Sequence, residues 1–270
     1  VNEAEMPEVL YHYCSNEAFE QIVVSKSIWL SALSLSNDSM EGKISSKIMN
    51  DLARENVLPS LEIQLISKIF SRTERIIDGL RFCLSEKGDL LSQWRGYASD
   101  ATGVSIGFST SYLKDLMRKE NNSAPIQVEY DYVKHRELVQ PSYARMKKLI
   151  DSGGIIESGS PTASSKAEYL DMVEELAYKS FHLKSKGFEE EREWRLLSLF
   201  VKNGKVPCSF RVGQNQIIPY RGYKLSAQRN PIIEVWLGPK HVTPKWIIES
   251  FLKRSGFDHV HVESSAATYR

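Results

Sequence analysis

The chain has 270 residues, with 35 lysines and arginines against 34 aspartates and glutamates, and 41% hydrophobic against 26% charged residues. A formal charge of +1 excludes a global field that would draw the protein onto nucleic acid or an anionic membrane, so either would need a local patch. No apolar run approaches the ~20 residues of a bilayer span, the opening residues Val1 to Glu8 are acidic rather than signal-like, and Cys14, Cys83 and Cys208 are too scattered for a disulfide framework or a zinc site; the expectation is a soluble, cytoplasmic α+β protein with mostly buried, reduced thiols and no metal.

In chain order, residues 9–14 (VLYHYC) read as a short aromatic strand, and Ser15 or Asn16 caps a helix that carries Phe19, Ile22 and Val23 at helical spacing. Residues 27–31 (SIWLS) form a second strand, a polar turn follows through Glu41, and two antiparallel helices are expected between residues 40 and 76, with Pro59 in the first turn of the second. A strand over 80–85, a short helix over 89–97 and a strand over 103–108 come next. Ser109 caps a helix through Lys119, and residues 126–132 alternate as a half-buried strand does. A helix carrying Met146 and Leu149 and another that keeps helical spacing from Tyr169 through Phe181 up to Lys184 flank a Ser-, Gly- and Pro-rich stretch at 152–165 that reads as a mobile loop and candidate lid. Residues 193–200 are strand-like, and strands at 206–212, 216–220, 232–237 and 259–262 with a helix at 244–253 complete the chain. This pattern predicts one domain over 1–270, a single mixed and mainly antiparallel sheet with helices packed on it, and a helical insertion at about 40–76 and 133–185.

Four clusters carry chemistry. His12 stands in the first strand, where a lone histidine is more often a hydrogen-bonded core residue than a catalytic one. Asn37, Asp38 and Glu41 suit a cation or a ribose, and equally a turn and a helix start. Ser85 with Gln93 to Tyr97 (QWRGY) offers Trp94 and Tyr97 to stack on a ring and Arg95 to grip a phosphate, although Trp94 also fits a core contact. The most informative cluster is Glu189 to Arg195 (EEEREWR), preceded by Lys184. Strand alternation puts Glu191, Glu193 and Arg195 on one face, and carboxylates entering a sheet cost desolvation unless they are paired or used. No Walker loop, Rossmann fingerprint, HExxH, GxSxG elbow or kinase motif set is present. Basic residues at Arg118, Lys119, Lys134, Arg136, Arg145, Lys147 and Lys148 are interspersed with acids and read as a solvated surface before a nucleic-acid path.

The ordered set of residues 10–13 (LYHY), 28–31 (IWLS), 37–41 (NDSME), 82–85 (FCLS), QWRGY leading to 103–108 (GVSIGF), Lys184, 191–195 (EREWR), 236–239 (WLGP) and the closing serines with Tyr269-Arg270 resembles DUF2971, a bacterial family of uncharacterised function, over essentially the whole chain. It departs from that pattern at Ser39, where proline is expected, and at Phe188, where tryptophan is expected. A second similarity, of a histidine in the first strand, a helix, a strand ending in serine and a late strand-associated glutamate, is to the DarT-like ADP-ribosyltransferases. It implies a split sheet and an enzyme, such as a toxin or phage-defence effector, that takes NAD as substrate and passes ADP-ribose to a protein or nucleic-acid acceptor. On that resemblance Glu191 or Glu193 is the catalytic acid, His12 holds the adenosine-side ribose, Ser31 or Ser85 steadies the nicotinamide end, Trp94 or Tyr97 stacks on a ring, and Arg195 pairs with the pyrophosphate or with a neighbouring carboxylate. Two other readings stand beside it: a non-catalytic binding module whose polar clusters are structural, and a nuclease in which Asp38, Glu41, Glu191 and Glu193 bind a divalent cation while Lys184 and Arg195 contact phosphate.

Overall fold

A computed structural model describes residues 6–35, 43–121, 123–202, 208–213 and 215–269. Asn37, Asp38 and Glu41 therefore lie outside the described residues. The N-terminal strand β1 (Val9–Cys14) leads into α1 (Asn16–Ser25), whose first turn is capped by Ser15 accepting a hydrogen bond from Ala18 N, as the sequence predicts. After β2 (Ser27–Ala32) come α2 (Lys43–Glu55), α3 (Ser60–Ile76), β3 (Ile77–Ser85), α4 (Leu91–Tyr97), β4 (Val104–Ser109), α5 (Thr110–Asn121) and β5 (Ile126–Gln127). Then α6 (Tyr132–Asp151) and α7 (Lys166–Ser180) precede β6 (Glu193–Val201), β7 (Ser209–Val212), β8 (Ile217–Lys224), β9 (Ile232–Leu237), α8 (Lys245–Arg254) and β10 (His261–Ser264). No described helix is long and apolar enough to cross a membrane.

The strands form one open sheet in the order β10-β9-β4-β1-β3-β2-β8-β7, antiparallel except for β9 and β10. Its centre is β3, which pairs along its whole length with β6, Ile77 opposite Val201 through Ser85 opposite Glu193. The other edge of β3 is shared: β1 meets it with Tyr11 opposite Ser85, and β2 meets it with Ser31 opposite Arg81 and Ala32 opposite Leu80. Between those two registers β1 and β2 diverge, so the sheet splits beside residues 82–84 of β3.

Alternation along the strands sends Leu10, Leu30, Phe82, Leu84, Ile106, Phe108, Trp194 and Leu196 to one face, where they make the main core with residues of α1, α5 and α8. A second core, which includes Ile48, Ile66, Met146 and Met172, joins α2, α3, α6 and α7 into one helical group. These are the helices expected as an insertion at about 40–76 and 133–185, and α7 rests on the opposite face of the sheet through Tyr178, with Phe181 just beyond its end, against the cluster of Leu33, Ile126 and Leu197.

Two expectations change. The alternating stretch 126–132 is a strand only at Ile126 and Gln127, with a further bridge from Glu129 to Leu183, because its polar positions serve the next helix. Asp131 caps α6 by accepting from Val133 N and Lys134 N, and the Glu129 carboxylate takes the amides of Tyr130 and Asp131. The stretch 152–165 is neither a free loop nor a lid. It is fastened to α3 by Lys68 Nζ on Glu157 O at 2.8 Å, to α7 by Tyr169 Oη on Gly159 O at 3.2 Å, and within itself by the Ser165 hydroxyl on Gly154 O.

Gly103, at the entry to β4, stands where a Cβ would overlap the carbonyl oxygen of Cys14 and press on that of Ala98. Both are backbone atoms that cannot swing away, so Gly103→Ala is expected to cost about 1–3 kcal/mol, read as a lower denaturant midpoint; an unchanged midpoint would mean that β1 and β4 can separate without loss.

Candidate active-site cleft

The divergence of β1 and β2 opens a cleft of about 1070 Å³ through the split, lined on the side of the main core by His12, Phe82 and residues of α1 and on the other side by Ser31, Arg81 and Glu193. It is walled by the split strands, by Gln93 and Tyr97 of α4, by residues of β7 and β8, and by Lys184, Phe188, Glu191 and Glu193. Tyr11 is in register with Ser85 and Ser85 with Glu193, so the strand that carries His12 and the strand that begins at Glu193 stand two sheet spacings apart, about 10 Å. His12 alternates to the face opposite Tyr11, Ser85 and Glu193, so the two sides meet through the split.

His12 sits at the split. Its Nδ1 lies 2.8 Å from Cys83 O, and its ring stacks on Phe82 with centroids 4.0 Å apart. A carbonyl only accepts, so Nδ1 carries the proton and Nε2 is left as an acceptor on a residue that lines the cleft. Burial lowers the pKa of His12 to about 4, only partly opposed by the Cys83 hydrogen bond, and burial with the Arg195 charge does the same to His182. Between about pH 6.5 and 4 the unfolded chain binds protons at these rings that the folded chain refuses. Stability should therefore be complete above that window and fall as the pH is lowered through it. Denaturant midpoints at pH 7, 6 and 5 check this: the fall should be shallower in His12→Gln, and equal falls in both proteins would contradict a neutral His12.

The acidic cluster is built by three local devices. Lys184 follows α7 and is held by its amide on Glu129 O; a 3-10 turn, Lys186–Glu191, then carries Glu191, and Arg192 in the left-handed region (φ 44°) redirects the chain into β6. Glu193 and Arg195 share a face by strand alternation, as expected, whereas Glu191 reaches them from the 3-10 turn. Lys184 Nζ lies 2.5 Å from Glu191 Oε2 and 2.8 Å from Glu193 Oε2. Arg195 grips Glu193 with two nitrogens, Nε to Oε1 at 2.8 Å and Nη2 to Oε2 at 2.9 Å, and gives Nη1 to Phe181 O at 2.7 Å. Tyr97 Oη donates to Glu191 Oε1 at 3.0 Å.

Desolvation alone would raise the pKa of Glu193, but Arg195 and Lys184 outweigh it and hold the carboxyl well below the usual range. Burial likewise opposes charge on Lys184, and Glu193 and Glu191 overcome it and raise its pKa. Two carboxylates facing two cations leave the cluster neutral as a whole. The two acids differ in what they have left: Glu193 accepts three side-chain hydrogen bonds, from Arg195 twice and Lys184 once, while Glu191 accepts two and keeps lone pairs on both oxygens.

The remaining sequence candidates divide. Ser31 lines the cleft and its Oγ accepts from Arg211 Nε at 3.3 Å. Ser85 is buried outside the cleft wall; its Oγ donates to Glu191 O at 2.8 Å and accepts from Lys87 N, so it fixes the backbone that carries Glu191. Trp94 is also outside the wall, fully buried against the edge of Tyr13 with Nε1 on Asp89 Oδ1 at 2.6 Å, so its ring faces are spent on the core. Arg195 is fully buried and engaged with Glu193 rather than open to the cleft. Gln93, which opens the QWRGY cluster but carries no role in the sequence reading, lines the cleft, as do Trp29, Arg81 and Arg211, to which that reading gives no site role. Arg81 was accessible to that reasoning, as the polar alternation of Arg81, Cys83 and Ser85 marks one strand face, but nothing local marks Arg211. Among the described residues no group of three His, Cys, Asp or Glu side chains is placed to hold a metal ion. Arg118, Lys134, Arg136, Arg145 and Lys147 each pair with an acid, consistent with a solvated helical surface. Cys14 is buried and Cys83 and Cys208 are half-buried.

A family model described as "Protein of unknown function (DUF2971)" matches residues 93–196, from Gln93 in α4 to Leu196 in β6. The resemblance expected over the whole chain is thus found over this stretch, which contains Tyr97, Lys184, Glu191, Glu193 and Arg195 and leaves out His12, Ser31 and Arg211. No curated protein and no solved structure matches the chain.

Proposed function

We propose that the cleft binds NAD and breaks its nicotinamide–ribose bond, passing ADP-ribose to a macromolecular acceptor. The observation that carries this reading is the placing of His12, Ser31 and Glu191 around one opening, where two strands part on the edge of β3. In that reaction the C1′–N bond breaks, nicotinamide leaves with the bonding pair, and C1′ passes through an oxocarbenium-like state that the acceptor attacks as it gives up its proton. Glu191 is a carboxylate with unused lone pairs at the wall of the cleft, suited to stabilise that positive charge and to take a ribose hydroxyl. Glu193 is a positioning residue: it fixes Lys184, and Lys184 fixes Glu191. His12 Nε2 accepts a second ribose hydroxyl, and Tyr97 and Trp29 supply aromatic wall.

The charge pairing weighs against the nuclease reading, since Lys184 and Arg195 already occupy the carboxylates that a divalent cation would need. A purely structural role predicts internally satisfied groups and no open cleft, and does not account for His12 Nε2 or for a volume at the upper end of ligand pockets, roughly 300–1,000 Å³.

Calorimetric titration with NAD tests the binding step. The expected result is a saturable isotherm below millimolar NAD that weakens about tenfold in His12→Ala, the value of one hydrogen bond of about 1.4 kcal/mol. No heat at millimolar NAD contradicts the proposal.

A further inference from the structure

Arg211 presents a charge that nothing among the described residues answers. It stands on β7 opposite Ile218, half-buried in the cleft wall, and its Nε donates to Ser31 Oγ two strands away. Arg54, Arg118, Arg136, Arg145, Arg192, Arg195 and Arg229 each have an acid within ion-pair distance, and Arg211 has none among the described residues. Its terminal nitrogens Nη1 and Nη2 make no hydrogen bond to any described residue. A partly desolvated guanidinium without a counter-charge is costly, and burial lowers its pKa accordingly. Such a group is kept where an anion arrives from outside.

The surroundings say which anion. Ser31, on which Arg211 rests, is in register with Arg81 of β3, so two guanidinium side chains flank one hydroxyl on the same sheet face, and the Arg81 charge reaches as far as Glu193. A second donor in the cleft is unspent: Gln93 is 7% exposed, and its Nε2 has no hydrogen-bond partner among the described residues. Beside Ser31, Trp29 packs on Tyr220 with centroids 4.5 Å apart and lines the same cleft. A planar fork with two free N–H donors matches a phosphoryl oxygen pair, and an aromatic wall next to it matches a base or other ring carried by the same ligand.

We propose that Arg211 and Ser31 form an anion subsite that takes the phosphate or diphosphate group of a nucleotide ligand. It rests on the NAD reading only for the ligand's name, where it would hold the pyrophosphate; the subsite itself rests on a half-buried guanidinium that no described acid pairs, beside Ser31 and Arg81 in the cleft wall. The β7–β8 hairpin, which the family match does not reach, then becomes part of the binding machinery.

The test titrates the full chain with inorganic pyrophosphate and with ADP, in wild type, Arg211→Gln, Arg211→Lys and the surface control Arg229→Gln. The subsite predicts binding of both probes to wild type and to Arg229→Gln, at least tenfold weaker binding to Arg211→Gln, and an intermediate loss in Arg211→Lys, which keeps the charge and loses the fork. Because Arg211→Gln breaks no ion pair with a described residue, its melting temperature without ligand should stay near that of wild type; should it melt early, the Arg211→Lys affinity carries the comparison. Absence of binding at 1 mM probe, or equal affinity in wild type and Arg211→Gln, overturns the subsite. Nicotinamide release is read separately on the same proteins: Arg211-dependent pyrophosphate binding without any release upholds the subsite and removes the transferase reading, and release with Arg211-independent binding does the reverse.

Discussion

Glu191→Gln is expected to lower nicotinamide release from NAD by about 10²–10³-fold, the usual cost of removing one electrostatic contact to a transition state, while leaving the fold intact. Glutamine keeps the shape of Glu191 and can still meet Tyr97 and Lys184, so the change removes the charge without opening a gap. NAD affinity should change much less than the turnover rate, because the carboxylate acts on charge that develops only as the glycosidic bond breaks. Glu193→Gln should behave differently. It loosens Lys184 and leaves Arg195 with a weaker partner, so activity and stability should fall together, and partial activity should return in Glu193→Asp if its role is to position Glu191. Equal, stability-linked losses in both glutamine variants would assign both acids to a structural network.

Arg195→Met should have the largest effect on stability, about 3–5 kcal/mol. The guanidinium is fully buried, and its removal leaves Glu193 desolvated with Lys184 as its remaining ion-pair partner among the described residues and the Phe181 carbonyl without that donor. Adding Glu193→Gln to Arg195→Met should restore part of the loss, since the stranded charge is then gone, and equilibrium denaturation of the four proteins reads this as a double-mutant cycle. The same ion pair sets an acid limit. Because the folded-state pKa of Glu193 lies below its unfolded value, its contribution is fully present above roughly pH 4.3 and is lost as the pH falls toward the folded value. Acid unfolding of Glu193→Gln should start from a less stable protein and show a shallower dependence below pH 4. Additive losses in the cycle would mean that the two side chains act independently.

The sequence carried the elements better than their meeting points. Strand alternation over 193–200 and 103–108, the Ser15 cap and the four inserted helices were legible because each depends on neighbours within one or two turns of chain. The convergence of Lys184, Glu191, Glu193 and Arg195 was also legible, since a carboxylate run entering a strand must find partners, and those partners stood within eleven residues. What was not legible came from long-range placement. Trp94 and Ser85 had the right chemistry for a ligand, but α4 docks so that Trp94 faces Tyr13, and Ser85 sits in register with Glu193 and is consumed by Glu191 O. Arg211 is 180 residues from Ser31 in the chain, and only the sheet order that brings β7 and β8 beside β2 places it in the cleft. The Ser- and Gly-rich stretch 152–165 misled for a related reason: composition marks turns, and Lys68 and Tyr169, outside the stretch, decide that these turns are fastened.

The most direct measurement is nicotinamide released from NAD, followed by chromatography, for wild type and Glu191→Gln at equal folded concentration and with no added acceptor, so that water or the protein itself takes the ADP-ribose. Steady release by wild type that falls by about 10²-fold or more in Glu191→Gln is what the cleft geometry predicts. Absence of release by wild type at millimolar NAD, or release that Glu191→Gln leaves unchanged, would contradict the assignment of this cleft to cleavage of the nicotinamide–ribose bond.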